Sequence, residues 1–166
     1  MDQSSQIAAC IPRLRRYARA LVNDRTAADD LVQDTLERAW TKIQQFRAGT
    51  DLRAWMFSIM HNMHVNQVRS RRDTVSYDEE AHDSGQRATQ NDALEMRDMD
   101  RAMQALPVEQ REVLLLVALE DLSYEVVGKT LGIPLGTVMS RLSRARERLR
   151  SLMNGTAVNQ KLVVVK

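Results

Sequence analysis

One cysteine, three prolines, six glycines and seven aromatic residues are all that the 166-residue sequence holds of the residues that punctuate or staple small folds. Each shortage excludes something. The lone Cys10 cannot form an internal disulfide, which points to a reducing, cytoplasmic compartment. So few glycines, prolines and aromatics argue against a β-sandwich or barrel, which needs turns every 8–12 residues or so and alternating β-branched or aromatic side chains. No apolar run approaches the length of about 18 residues that spans a membrane, so no membrane insertion is expected. Met1 to Ile11 lacks the basic segment and apolar stretch of a signal peptide. There is no Gly-rich phosphate loop and no nucleophile elbow. The soft metal ligands are Cys10, His61, His64 and His82, of which only His61 and His64 share a helix, at spacing i, i+3. Two ligands do not make a site, so neither a metal nor another cofactor is expected.

What remains is a helical protein. The sequence is 43% apolar and 28% charged, with nine methionines beside Leu, Val, Ala and Ile to build a core. The net charge is only +2, but it is unevenly laid out. Residues 1–72 carry 12 Lys and Arg against 7 Asp and Glu, residues 73–109 carry 3 against 10, and residues 110–166 carry 9 against 5. Two basic lobes therefore flank an acidic middle, a layout that suits a polyanionic partner or, equally, ordinary solvated helix faces. Residues 73–92 have only Val75 and Tyr77 as strong apolar residues and no helical stripe. Such a segment buries too little to offset its ordering entropy, and it reads as a flexible acidic linker. The expected architecture is all-α: a lobe at 1–72, the linker at 73–92, a second lobe at 93–153 and a tail at 154–166.

The first lobe reads as three helices. Ile7, Ile11, Leu14, Ala18 and Leu21 form one stripe. Thr26, with Asp29 three residues on, suggests a capping box opening a second helix, whose stripe is Leu31, Val32, Thr35, Leu36, Ala39, Trp40 and Ile43. Asp51 suits the cap of a third helix, striped by Leu52, Trp55, Met56, Ile59, Met60 and Met63. That helix ends in His61, Asn62, His64, Asn66 and Gln67, followed by Arg69, Arg71 and Arg72. Amide side chains both donate and accept, which suits reading base edges, while Arg suits phosphates. A solvated polar face is the plainer reading of any one of these residues.

In the second lobe a helix ends at Leu106-Pro107 and another runs through the apolar block Val113 to Leu119. Ser123 then caps a short helix to Leu131, Gly132 stands at a left-handed C-cap position, and Pro134 opens a last helix striped by Leu135, Val138, Leu142, Ala145, Leu149 and Leu152. Five arginines fall within residues 141–150 of that helix. A short helix, a Gly-containing turn and a longer basic helix make a helix-turn-helix, whose second helix enters the major groove.

These stretches resemble a known family. Residues 122–149 (LSYEVVGKTLGIPLGTVMSRLSRARERL) look like region 4.2 of an extracytoplasmic-function (ECF) bacterial sigma factor of the sigma-70 family. Ala105-Leu-Pro-x-x-x-Arg111 resembles region 4.1, Ala28-Asp-Asp-Leu-Val-Gln-Asp-Thr-Leu36 region 2.2, and Phe46 to Asn62 regions 2.3 and 2.4. The resemblance implies helical σ2 and σ4 domains and no covalent chemistry. It also implies that the protein binds core RNA polymerase through the β′ and β subunits, recognises the minus-ten and minus-thirty-five promoter elements, helps open the duplex and is held in check by an anti-sigma factor.

By the same resemblance Asp29, Asp30, Leu31, Gln33, Asp34 and Glu37 would dock on the β′ coiled coil. Phe46, Arg47 and the loop to Thr50, with Asn62, would capture a base flipped from the minus-ten strand. Trp55 belongs to that motif and also to the core stripe. His61 and Asn66 would tune the minus-ten read, with Arg69, Arg71 and Arg72 on phosphates. Ser140, Ser143 and Arg144 would read the minus-thirty-five element, held by Thr137, Arg141, Arg146 and Arg148 on the backbone. Met139 departs from the pattern, since many relatives carry Lys or Arg there. The rival readings are a helix-turn-helix regulator with an α/β receiver domain, which would need strands within residues 1–72, and a metal protein.

Overall fold

The structure, a computed structural model, describes residues 2–73 and 91–163; the side chains at 72, 73, 91–95 and 156–163 fall outside that description. So do most of the acidic linker, with His82, and the last three residues of the tail. Seven helices follow one another: α1 (Gln3–Leu21), α2 (Arg25–Lys42), α3 (Leu52–Asp73), α4 (Asn91–Ala105), α5 (Val108–Ala118), α6 (Tyr124–Leu131) and α7 (Leu135–Val163), with one 3-10 turn at Ile43–Gln45. No strand occurs among the described residues, which leaves no place in residues 2–73 for an α/β receiver domain.

Local chemistry sets the helix starts. Asp2 accepts from Ser4 N, and Asp51 Oδ1 accepts from Arg53 N at 3.0 Å and Ala54 N at 3.4 Å. At α2 the cap differs from the expected one. Asp24, not Thr26, holds the first turn, its Oδ1 accepting from Thr26 N at 3.1 Å. The helix therefore begins at Arg25, and no Thr26–Asp29 box forms.

α1, α2 and α3 pack around Leu14, Tyr17, Leu21, Leu31, Met56, Phe57 and Met60, all essentially buried. The Tyr17 and Phe57 rings meet edge to face, centroids 4.9 Å apart. Neither ring belongs to the stripes read from the sequence. Two expectations fail here. Leu31, assigned to polymerase docking, is 0% exposed and belongs to the core, because it faces α1 and α3 rather than the acidic surface. Trp40, assigned to the stripe, is 58% exposed.

In the second lobe Val113 to Leu116 of α5 are buried against Val127 and Leu131 of α6 and Val138, Leu142 and Ala145 of α7. Ser123 caps α6 by accepting from Val126 N. Gly132 closes the helix in the left-handed region, φ 68°. A Cβ on Gly128 would lie 3.0 Å from Ile133 O, so a glycine lets the turn fold back onto α6. Leu135, expected on the core stripe, is 46% exposed at the first position of α7. α7 continues past residue 153 into the tail, as far as Val163.

The two lobes pack on one another. α1 packs on α4 and α5, and α3 packs on α6. Arg111 of α5 is the hub. It donates from Nε to Met103 O (2.8 Å), from Nη2 to Gln104 O (2.9 Å) and Leu106 O (2.8 Å), and from Nη1 across the lobe boundary to Leu21 O (2.7 Å). Gln104 Nε2 donates to Ala20 O at 3.1 Å. Carbonyls at a helix C-terminus have no partner within their own helix. Here α1 and α4 both end on one guanidinium. Arg16 does the converse, donating to Leu119 O at 3.2 Å, just past the end of α5.

Arg111→Ala is expected to destabilise the fold by about 3 kcal/mol or more, since it strands several part-buried carbonyls. Arg111→Lys should restore little, because a single ammonium cannot span four acceptors fixed in a planar fork. Chemical denaturation of the three proteins checks this; a lysine variant as stable as the original would refute it.

Candidate functional site

Three surfaces gather the residues singled out in the sequence. The first is the outer face of α2. Asp29, Asp30, Gln33 and Glu37 are exposed and Asp34 half-buried. Arg19 of α1 pairs with Asp29 at 3.7 Å, and Gln67 Nε2 of α3 donates to Asp34 Oδ2 at 3.3 Å. Gln33 and Glu37 also stand at the edge of a groove between α1 and α2, floored by Ile7, Ile11 and Leu36 and flanked by Trp40. The face is acidic because α2's period puts its apolar residues inward and its carboxylates outward.

The second surface is a cavity of 310 Å³ between the start of α1 and the loop joining α2 to α3. That is within the range of small-ligand sites, about 300–1,000 Å³. Phe46, Ala48, Gly49, Thr50 and Leu52 line it, with Gln3 and Gln6 of α1 opposite. The loop is shaped by Phe46 N donating to Ile43 O and Thr50 Oγ1 donating to Arg47 O at 2.7 Å. Phe46 stacks obliquely on Trp55, centroids 5.3 Å apart. Trp55 is half-buried against the core, so it braces Phe46 as well as filling space. Sequence reasoning missed Gln3 and Gln6, because only the fold brings the chain's start beside residues 46–52. Asn62 does not line this cavity. It lies exposed on α3, about 15 Å along the helix from Leu52. Asn66, Arg69 and Arg71 are exposed further along the same helix; the side chain of Arg72 lies outside the described residues.

His61 is placed differently from the expectation. Its ring faces the second lobe, where Nδ1 meets Glu112 Oε1 at 2.9 Å, and His64 Nδ1 reaches the same oxygen at 3.8 Å. Burial by itself would raise the Glu112 carboxyl, but the hydrogen bonds and charge of the two histidines outweigh it and hold it below its usual value. Nearby, Tyr17 is fully buried and its hydroxyl pushed well upward, by burial first and then by Glu112 and Glu120. Glu120, itself buried, takes Arg16 at 3.4 Å and Arg13 at 3.9 Å. In this arrangement His61 is spent on the lobe interface and is not presented to a ligand. Among the described residues no group of three or more His, Cys, Asp or Glu is placed to hold a metal ion.

The third surface is the outer face of α7. Met139, Ser140, Ser143, Arg144, Arg146 and Arg148 are exposed, with Thr137 and Arg141 half-buried at its edge. Ser140 Oγ donates to Thr137 O at 3.2 Å. Arg144, Arg146 and Arg148 make no ion pair among the described residues, so their charge is presented outward. A row of hydroxyls and guanidiniums on the second helix of a helix-turn-helix has the chemistry to meet phosphates and base edges.

Comparison with known proteins agrees with this geometry. Residues 7–61 match the pattern of the Sigma2 domain of PhyR, and residues 96–149 match Sigma-70, region 4. The chain is 38% identical over 152 residues to the ECF RNA polymerase sigma factor EcfG of Rhodopseudomonas palustris (strain TIE-1), a match covering 89% of this chain and 82% of that protein. The sigma factor RpoE, solved in complex with the anti-sigma factor NepR from Bartonella quintana, has the same fold: TM-score 0.76 and 34% identity over 91% of this chain and 96% of that one. CnrH, solved in complex with the cytosolic domain of CnrY, gives a TM-score of 0.67 at 26% identity, covering 92% and 87% of the two chains.

The Glu112 cluster makes a pH prediction. A carboxyl whose value is lowered on folding stabilises the protein above its unfolded value and loses that contribution as pH falls through the lower folded value. Glu112→Gln should therefore cost about 1–3 kcal/mol at neutral pH. The gap to the original protein should close under acid conditions. Denaturation curves across pH check it; a gap independent of pH would show that the carboxylate charge is not what holds the histidines.

Proposed function

The chain belongs to the ECF RNA polymerase sigma factors, and we propose that it directs core polymerase to its promoters through the three surfaces described. Sigma factors are transcription initiation factors rather than enzymes, so the reading concerns binding and DNA strand separation. No helix among the described residues is long and apolar enough to cross a membrane, and the reading places the protein with polymerase in the cytoplasm.

The observation that carries the reading is the outward row of Ser140, Ser143 and Arg144 on α7, flanked by Arg141, Arg146 and Arg148. In this reading α7 lies in the major groove of the minus-thirty-five element. The acidic face of α2, without Leu31, docks on the β′ coiled coil, where its carboxylates meet arginines. The cavity beside Phe46 receives a base unstacked from the minus-ten strand; extrusion costs a few kcal/mol, which stacking and hydrogen bonding in the cavity offset. Arg69 and Arg71 hold phosphates downstream of it, and Asn62 and Asn66 contact the same strand outside the cavity. The chain would span residues 1–72 and 93–153 as two working domains. His61 joins the DNA surface only when the lobes separate and Glu112 is released. An anti-sigma factor would hold the lobes in an inactive arrangement, a reading supported by the complexes solved for two similar proteins.

Run-off transcription with core polymerase on a promoter library tests the whole reading. Arg144→Ala should lose about 1–3 kcal/mol of binding at the minus-thirty-five element while polymerase binding is unchanged. Phe46→Ala should lower open-complex formation more than closed-complex formation, measured by permanganate reactivity of unpaired thymines. Asp34→Arg should weaken polymerase capture in a pull-down. Equal loss at every step for all three variants would mean that they perturb only the fold.

A further inference from the structure

The outer face of α7 is not uniformly polar. Met139 is 52% exposed, and Leu135, one turn earlier on the same face, is 46% exposed. Residues four apart on a helix are neighbours. The core side of the same turns is already filled by Val138 and Leu142. Two large apolar side chains thus stand at the N-terminal end of the helix, and Ser140, Ser143 and Arg144 follow within two turns. The flanking arginines favour a polyanion over an apolar protein partner. A major groove presents one apolar group on its base edges, the C5 methyl of thymine, and a groove helix places its first turns against those edges.

We propose that Met139, with Leu135 beside it, is a specificity-determining contact that reads a thymine methyl in the upstream promoter element. The inference rests on α7 being the groove helix. Met139 is unbranched and polarisable, so its thioether adapts to the position of the methyl where a branched side chain would not. A positively charged side chain at this place would contact phosphate or guanine; Met139 instead shifts the preference towards a thymine-containing pair.

The test uses the full chain assembled with core polymerase and a promoter obtained from the library. Each thymidine of the upstream element is replaced in turn by deoxyuridine, which removes the methyl and nothing else. Binding is measured at one fixed salt concentration. At one or two positions deoxyuridine should weaken binding by about fourfold, the value of one buried methylene-sized group. Met139→Ala should bind the thymidine duplex correspondingly less well and show no response to deoxyuridine at those positions. Met139→Leu should keep the response. If deoxyuridine has no effect at any position, or weakens Met139→Ala as much as the original protein, the inference is overturned. If Met139→Ala binds this DNA normally and instead loses affinity for an anti-sigma factor, the patch is a protein-docking surface and the inference is overturned too. Arg144→Ala separates the two levels. Loss of preference for the element in that variant keeps α7 as the groove helix even when the methyl contact fails, whereas no preference in the original protein removes both.

Discussion

The arrangement of the two lobes rests on shared helix ends. Four carbonyls at the end of an α-helix have no partner within it, and burying them unpaired is costly. In this protein the end of α1 is satisfied by Arg111 and Gln104 of the other lobe, and the end of α5 by Arg16 of α1. Arg111 also closes the end of α4 through Met103, Gln104 and Leu106. Burial lowers its value from that of a free guanidinium, and the neighbouring Glu112 opposes the fall. The same contacts that finish helices therefore fasten lobes.

That economy bears on function. The lobes share one apolar core, and the guanidinium-to-carbonyl and histidine-to-carboxylate contacts beside it are exchangeable in a way that apolar packing is not. Each group that faces the other lobe can face water or a partner once the lobes part, at modest net cost per hydrogen bond. His61 shows the consequence. It is bound to Glu112 in the closed arrangement, while Asn62, its neighbour, stays exposed. In the same arrangement most of the outer faces of α2 and α7 are exposed, so packing the lobes together half-buries His61 and leaves those two faces open.

Three of the six exposed large apolar side chains among the described residues stand on the surfaces described above. Trp40 stands beside the acidic face of α2, and Leu135 and Met139 at the start of α7. A helical stripe read from sequence assigns Trp40 and Leu135 to a core, because periodicity reports which face a residue occupies and not whether another element reaches it. Trp40 flanks the open groove between α1 and α2, and Leu135 is the first residue of α7.

The all-α class, the helix-turn-helix with its Ser123 cap and left-handed Gly132, the acidic α2 face and the arginine row of α7 were legible in the sequence. They arise from interactions between residues a few positions apart: periodicity, capping and turn chemistry act within one or two turns of helix. The rest was decided by tertiary packing. Tyr17 and Phe57 became the centre of the first core because α1 and α3 cross there. Asp24 displaced Thr26 as a cap because the chain enters α2 two residues early. Leu31 left the docking surface, and His61 turned to a carboxylate 51 positions away, because a residue's neighbours across a fold are set by how helices stack and not by spacing along the chain. Gln3 and Gln6 joined the Phe46 cavity for the same reason. Contacts between distant segments depend on the geometry of every element between them, and no local pattern encodes that geometry.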